Sequence, residues 1–287
     1  MSASNFPRVA LVGWPVEHSL SPAMHNAAFK ALGIDWRYEL FPVPPGQLGA
    51  AVADLHAGGC RGANVTLPHK SAIMAYLDKI DDAARAIGAV NTIAVRGTRL
   101  AGYNTDGPGF LRALREAGLE PAGRRALVLG AGGAARAVVY ALAQAGCSVT
   151  VFNRTVAHAA ELARNLNGLG LGGAVSTVPG EAALRALDLA PFDLLVNATA
   201  AGMWPNCGES PWPAGLALPS HWSVFDLVYN PLETRLLREA RQAGARAVNG
   251  LGMLVWQGAL AFELWTGQAP PVGLMRAAAV EALTIER

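Results

Sequence analysis

The stretch ALVLGAGGAARAVVYALAQAG, residues 126–146, carries glycines at a spacing that suits phosphate chemistry. Gly130, Gly132 and Ala135 fill the G-x-G-x-x-G/A positions of a dinucleotide-binding turn between a predicted strand and a predicted helix. Gly130 permits the tight turn, and Gly132 lets the backbone approach a pyrophosphate. Ala131, Gly133 and Ala134 complete a helix start whose free N–H groups and positive dipole end attract an anion. The next strand ends in Asn153, Arg154 and Thr155. In this fold class an acid at that point holds a ribose 2′-hydroxyl. A cation instead suits a 2′-phosphate, which an arginine grips through two parallel hydrogen bonds. The expected cofactor is therefore NADP. The plainer alternative is a tight turn followed by a solvated arginine.

A second set of polar residues stands where local structure does not ask for them. Ser19 and Ser21 precede Pro22; Ser21 could simply cap the helix that follows, but capping explains Ser19 less well. Asn64 and Thr66 are two apart on a predicted strand and so share a face. Lys70 follows Pro68 at the start of a helical piece, where a cation gains nothing from the helix dipole. Asn91 interrupts AVNTIAV, a strand pattern that disfavours asparagine. Asp106 in NTDGPGF could cap a helix beginning near Pro108, and Tyr229 closes the strand SVFDLVY as a core tyrosine would. Gln257 falls on the helical stripe of Met253, Leu254, Leu260 and Leu264. A buried amide without partners is unfavourable by roughly 1–3 kcal/mol, so a ligand hydroxyl or an ordered water should meet it.

Alternating strand and helix patterns must position these residues. The first part reads as strand Val9–Gly13, a helix from Pro22 stopped at Gly33, strand Trp36–Val43, helix Gln47–Ala57 and strand Gly62–Leu67. Helical pieces Ser71–Leu77 and Asp81–Ile87 follow, then the strand pair Ala89–Val95 and Arg99–Tyr103. From about Gly107 the alternation becomes regular: helix Phe110–Ala117, strand Ala126–Leu129, helix Ala134–Ala145, strand Ser148–Phe152 and helix Ala157–Asn165. NGLGLGGAV reads as a flexible loop open to insertion. Strands Asp193–Asn197 and Val224–Val228, helix Leu232–Ala243, strand Arg246–Val248 and helices Met253–Trp265 and Leu274–Ile285 complete the chain.

The 287 residues are long for one core and suit two domains. A hydrophobic fraction of 52% against 15% charged residues excludes a disordered chain. A net charge of +2 with scattered Lys and Arg speaks against nucleic acid. Cys60, Cys147 and Cys207 have no metal-ligand spacing, so no metal is expected, and their sparse odd number fits a reducing, cytoplasmic setting. MSASNFPRVALVGWP lacks a signal-peptide pattern, and no apolar run is long enough for a membrane span.

Six segments resemble the shikimate dehydrogenase family: HSLSP, GANVTLPHK, GAVNT, NTDG, GAGGAAR with NRT, and NGLGMLVWQ. The resemblance implies an α/β fold with an N-terminal α/β substrate domain over 1–106, a Rossmann NADP-binding domain over 107–249, and C-terminal helices over 250–287 returning to the first domain. It implies NADPH-dependent reduction of 3-dehydroshikimate to shikimate, with Lys70 and Asp106 catalytic. Ser19, Ser21, Thr66, Asn91, Tyr229 and Gln257 would bind substrate, with Asn64 a weaker candidate. Leu227, Gly250 and Met253 would lie near the nicotinamide. Many NADP-using relatives carry a second cation shortly after NRT; here that position holds His158, so NADP preference should weaken as pH rises above neutrality. A quinate/shikimate dehydrogenase with broader NAD(P) use and a non-catalytic NADP sensor are the competing readings. The expected partner is a small molecule. The oligomeric state stays open, a homodimer being one option.

Overall fold

The computed structural model describes residues 7–56 and 59–285. The start of the N-terminal stretch and Ala57, assigned above to a helix, lie outside them. The chain forms two compact units, Met1–Gly109 with Val255–Arg287, and Phe110–Leu254.

The first unit runs β1 (Arg8–Gly13), α1 (Ser21–Ala31), β2 (Arg37–Pro42), α2 (Leu48–His56), β3 (Cys60–Val65), β4 (Lys79–Ile80), α3 (Asp82–Ile87), β5 (Thr92–Arg96) and β6 (Arg99–Tyr103). Its sheet has the order β2-β1-β3-β5-β6-β4. β1 pairs in parallel with β2 and β3, while β5 runs antiparallel to β3 and β6. Buried β-branched and aliphatic residues of these strands, among them Val12, Val65 and Ile93, pack with Leu48, Val52 and Leu55 of α2. This core is the rigid floor from which the loops after β1 and β3 rise. α4 (Asp106–Glu116) begins in the first unit and continues into the second.

The second unit runs β7 (Arg125–Leu129), α5 (Gly133–Gln144), β8 (Ser148–Phe152), α6 (Val156–Asn167), β9 (Val175–Val178), α7 (Glu181–Arg185), β10 (Leu194–Asn197), β11 (Ser223–Asp226), α8 (Arg235–Gln242) and β12 (Arg246–Val248). All six strands are parallel in the order β12-β11-β10-β7-β8-β9. This is the doubly wound Rossmann arrangement, and its order reverses between β7 and β10, where such sheets bind ligands beyond the strand ends. The central strands β7, β10 and β11 are buried almost throughout, as strands covered on both faces are. α9 (Leu251–Thr266) carries the chain back into the first unit, and α10 (Val272–Ile285) packs there on α1.

Several elements depart from the sequence expectations. Ser71–Leu77 holds a 3-10 turn over Ala72–Tyr76 rather than an α-helix. Asn91 precedes β5 instead of interrupting it, because Ala89–Asn91 is irregular. β4, β9 and α7 were not anticipated; each is five residues or fewer, too short for a period to show. NGLGLGGAV is a loop over residues 168–174, with its two ends tied together. Val175 already belongs to β9, and the Asn167 side chain brackets it with hydrogen bonds of 2.7 and 3.0 Å. Gly173 lies so close to the Cys147 carbonyl that a Cβ would collide with it. On α9 the fully buried face is Val255, Ala259 and Phe262, and Leu254, Leu260 and Leu264 are only half-buried, so Gln257 sits at the edge of the apolar stripe.

Candidate active site

Lys70 is set by its loop. Thr66 N–H donates to Val12 O at 2.8 Å, His69 N–H to Thr66 O at 2.9 Å, and Val90 N–H to Lys70 O at 2.8 Å. The His69 ring is buried with Nε2 2.7 Å from Val43 O. A residue held at the backbone on both sides can aim a long side chain reproducibly. Lys70 Nζ lies 2.6 Å from Asp106 Oδ2, with side-chain exposures of only 17% and 7%.

Asp106 is free for this pairing because another residue caps its helix. α4 starts at Asp106 itself, and Asn104 Oδ1 accepts from the N–H groups of Asp106 at 3.1 Å and Gly107 at 3.3 Å. The capping alternative for Asp106 is therefore corrected: Asn104 is the cap. The signal was in NTDG, since asparagine two residues before an acidic first turn is a cap pattern.

Asn91 ties the pair to its surroundings. Its Nδ2 lies 2.9 Å from Asp106 Oδ1, 2.9 Å from Thr105 Oγ1 and 3.4 Å from Gln257 Oε1. Its Oδ1 accepts the Thr105 N–H at 2.7 Å. Gln257 thus meets a protein amide, a partner not foreseen from its stripe. Gly109 permits the approach, because a Cβ there would sit within 2.7 Å of the Gln257 backbone nitrogen. Asn64 is buried at the end of β3, and its amide is committed to Tyr38, Thr92 and the Asn91 carbonyl. Thr66 lies one residue past the strand, half-buried, with its methyl filling the space where a Cβ on Gly13 would go.

Ser21 is not the cap of α1. The cap position is Leu20, without a side-chain bond, and Ser21 is the first helical residue. Ser19 Oγ accepts the Ser21 N–H at 3.3 Å, a local turn that places both serines at the helix start, Ser19 half-buried and Ser21 buried. The first unit thus gathers Lys70, Asp106, Asn91 and Gln257 by direct contact, with Ser19 and Thr66 on the loops after β1 and β3 and Ser21 at the start of α1.

The remaining residues, Tyr229 among them, belong to the second unit. Gly130 has φ 113° and faces Ala198 O, so a Cβ there would stand at 3.1 Å from that carbonyl. Gly132 precedes the first residue of α5, and a Cβ on it would meet nothing within 4 Å. The helix N-terminus is therefore open to an anion, flanked by Ala131, Gly133 and Ala134. Ala135 is fully buried, as close packing of helix on sheet requires. Asn153 Nδ2 bonds Thr155 O at 2.9 Å and tightens the turn after β8, leaving Arg154 and His158 exposed. These groups fit a dinucleotide carrying a 2′-phosphate. Leu227 N–H donates to Asn197 O at 2.9 Å, and Gly250 N–H to Val228 O at 3.1 Å. Gly250 abuts Leu227 O so tightly that a Cβ would overlap it. Met253 follows, buried, on α9.

Beneath these strand ends lies Asp226, fully buried. It accepts from Asn197 Nδ2 at 2.8 Å and Val228 N–H at 3.0 Å, with Thr234 Oγ1 2.6 Å away. Burial pushes its carboxyl up to about 6, against the bonds from Thr234, Val228 and Asn197 that favour the charged form.

Three family descriptions match in order: "Shikimate dehydrogenase substrate binding domain" over residues 11–93, "Shikimate / quinate 5-dehydrogenase" over 113–201, and "Shikimate 5'-dehydrogenase C-terminal domain" over 250–280. A protein of Moorella thermoacetica named shikimate dehydrogenase (NADP(+)) is 55% identical over 96% of this chain and 93% of its own length. The chain belongs to the shikimate dehydrogenase family. A namesake from Symbiobacterium thermophilum is 52% identical over 96% of this chain and 94% of its own. The solved shikimate 5-dehydrogenase of Thermus thermophilus, in complex with NADP(H) and shikimate, is 45% identical, with a TM-score of 0.86 over 96% of this chain and 99% of that one. These names do not favour the quinate reading. Within this member of the family, Tyr38, Thr92, Asn104 and Thr105 are the site-supporting residues that sequence patterns missed. Among the described residues no helix is long and apolar enough to cross a membrane.

Proposed function

We propose that this chain catalyses the reversible NADPH-dependent reduction of 3-dehydroshikimate to shikimate, a step toward chorismate and the aromatic amino acids. The observation that carries this reading is the Lys70–Asp106 pair at 2.6 Å, braced by Asn91 and Gln257, in a chain that matches the family along nearly its whole length. NADPH, when bound at α5 and Arg154, supplies the hydride. Lys70 stands by the carbonyl oxygen, where its ammonium stabilises the developing negative charge and hands over a proton. Asp106 holds that ammonium and accepts from a neighbouring ring hydroxyl; in the reverse direction the neutral amine of Lys70 acts as base. Ser19 and Ser21 bind the ring carboxylate, Thr66, Asn91, Tyr229 and Gln257 take the hydroxyls, and Leu227, Gly250 and Met253 frame the nicotinamide. The partners are small molecules, the setting is the cytoplasm, and light scattering on purified protein decides between monomer and homodimer.

Shikimate-dependent reduction of NADP by the purified protein, followed by near-ultraviolet absorbance, tests the reading. Quinate should be a poor substrate, and absence of any shikimate-dependent signal would return the chain to the sensor class.

Cofactor choice is expected to rest on Arg154. Arg154→Ala should weaken NADP binding roughly tenfold, the scale of one charge-assisted contact, and leave NAD binding unchanged. His158 is exposed beside Arg154 on the turn after β8, so His158→Arg, which adds a fixed cation there, should strengthen the preference for NADP over NAD. An unchanged preference in that variant would remove His158 from the account.

A further inference from the structure

Tyr38, the second residue of β2, is fixed from three directions. Asn26 of α1 brackets its backbone, donating from Nδ2 to Tyr38 O at 3.0 Å and accepting the Tyr38 N–H at 2.8 Å. The His25 ring lies parallel to the phenol ring, with centroids 4.5 Å apart and planes 3° apart. The hydroxyl donates to Asn64 Oδ1 at 2.8 Å.

The donor and acceptor roles of the two amides follow from there. Because Asn64 Oδ1 faces the phenol, its Nδ2 faces the other way and donates to Thr92 Oγ1 at 3.1 Å and to Asn91 O at 3.1 Å. Thr92 Oγ1, having accepted, directs its one proton to Asn91 Oδ1 at 3.1 Å or Thr105 Oγ1 at 3.0 Å. Asn91 Nδ2 then donates to Asp106 Oδ1, whose other oxygen takes the Lys70 ammonium. Flipping Asn64 would set its oxygen against the Asn91 carbonyl, so that carbonyl selects the orientation, and the phenol hydroxyl supplies the donor that Asn64 Oδ1 then needs.

We propose that Tyr38 is a positioning residue for the reaction: through Asn64 and Thr92 its hydroxyl fixes the Asn91 amide, which holds Asp106 in register with Lys70. The proposal rests on the function given above and extends it to residues that touch neither substrate nor cofactor.

Tyr38→Phe keeps the ring and its stack on His25 and deletes one O–H. It should lower kcat about five- to tenfold, the scale of one hydrogen bond lost from a coupled chain, with KM for NADPH unchanged. Thr92→Val should do the same and Thr92→Ser should restore turnover. The double variant Tyr38→Phe/Thr92→Val should be no slower than the worse single one, because both cut the same chain. A kcat for Tyr38→Phe within about twofold of the parent, or multiplying effects in the double variant, overturns the proposal. Hydrogen exchange of the Asn91 side-chain amide, read by NMR, needs no substrate. It should be roughly tenfold faster in Tyr38→Phe, and unchanged exchange overturns the proposal whatever the assay shows. Loss of shikimate turnover in the parent would sink the function instead, and the exchange arm would still decide the positioning role.

Discussion

Lys70→Met should reduce kcat by about a hundredfold or more while NADPH affinity stays within about twofold of the parent. Methionine keeps the length and the apolar stem and removes only the ammonium. Two contributions vanish together: the positive charge that meets the forming oxyanion, and the proton that completes the alcohol. Either alone is commonly worth two powers of ten, and in a pocket where Lys70 is only 17% exposed water is a poor substitute. The substitution also strands Asp106, which keeps Asn91 on Oδ1 but loses its cation. Some loss of thermal stability should therefore accompany the loss of turnover, since an uncompensated buried carboxylate is destabilising. Steady-state kinetics with fluorescence titration of NADPH separates the two effects. Near-normal kcat in a folded Lys70→Met protein would reject the mechanism.

The sequence told more about chemistry than about its scaffolding. Five of the six strands of the second sheet were legible because they stand as short apolar-rich runs around the longer helices α5, α6 and α8, and a helical period needs such lengths to show. β4, β9 and α7 escaped for the opposite reason. The chemistry-bearing residues stood out as polar groups in apolar settings. What holds them did not. Asn104 looks like an ordinary loop residue, Thr92 like an ordinary strand residue and Tyr38 like an ordinary core aromatic. Their importance arises from strand pairing: β3 against β5 sets Asn64 opposite Thr92, a relation between residues far apart in the chain. Gly109 is similar, because its value is the close passage of α9, which only the folded chain reveals.

Buried titrating groups make the second large effect one of stability against pH. His25 is completely buried among Tyr38, Phe29, Phe262 and Trp265, and neither ring nitrogen has a hydrogen-bond partner. Burial lowers its pKa from 6.5 to about 3. Between those values the unfolded chain binds a proton that the folded chain refuses. Stability from this group is therefore complete above about pH 6.5 and falls as pH drops, by roughly 1.4 kcal/mol per unit. Asp226 acts with the opposite sign. Its folded pKa is raised from 3.8 to about 6, so in that window the folded chain holds a proton the unfolded chain lacks, and stability falls as pH rises. Burial outweighs the bonds that Thr234 Oγ1 donates to Oδ2 and that Asn197 and Val228 donate to Oδ1, all of which favour the charged form. From about pH 4 to about pH 6 the two slopes cancel, and each is exposed by removing the other. Asp226→Asn, which mimics the neutral acid, should gain roughly 2–3 kcal/mol relative to the parent on going from about pH 4 to about pH 7, and its own stability should fall steeply on acidification. His25→Leu should show the reverse, gaining relative to the parent by a similar amount as pH is lowered from about 6.5 to about 4.5. Urea denaturation at a series of pH values reads both. Parallel pH curves for parent and variants would mean that neither group is held in its neutral form by the fold.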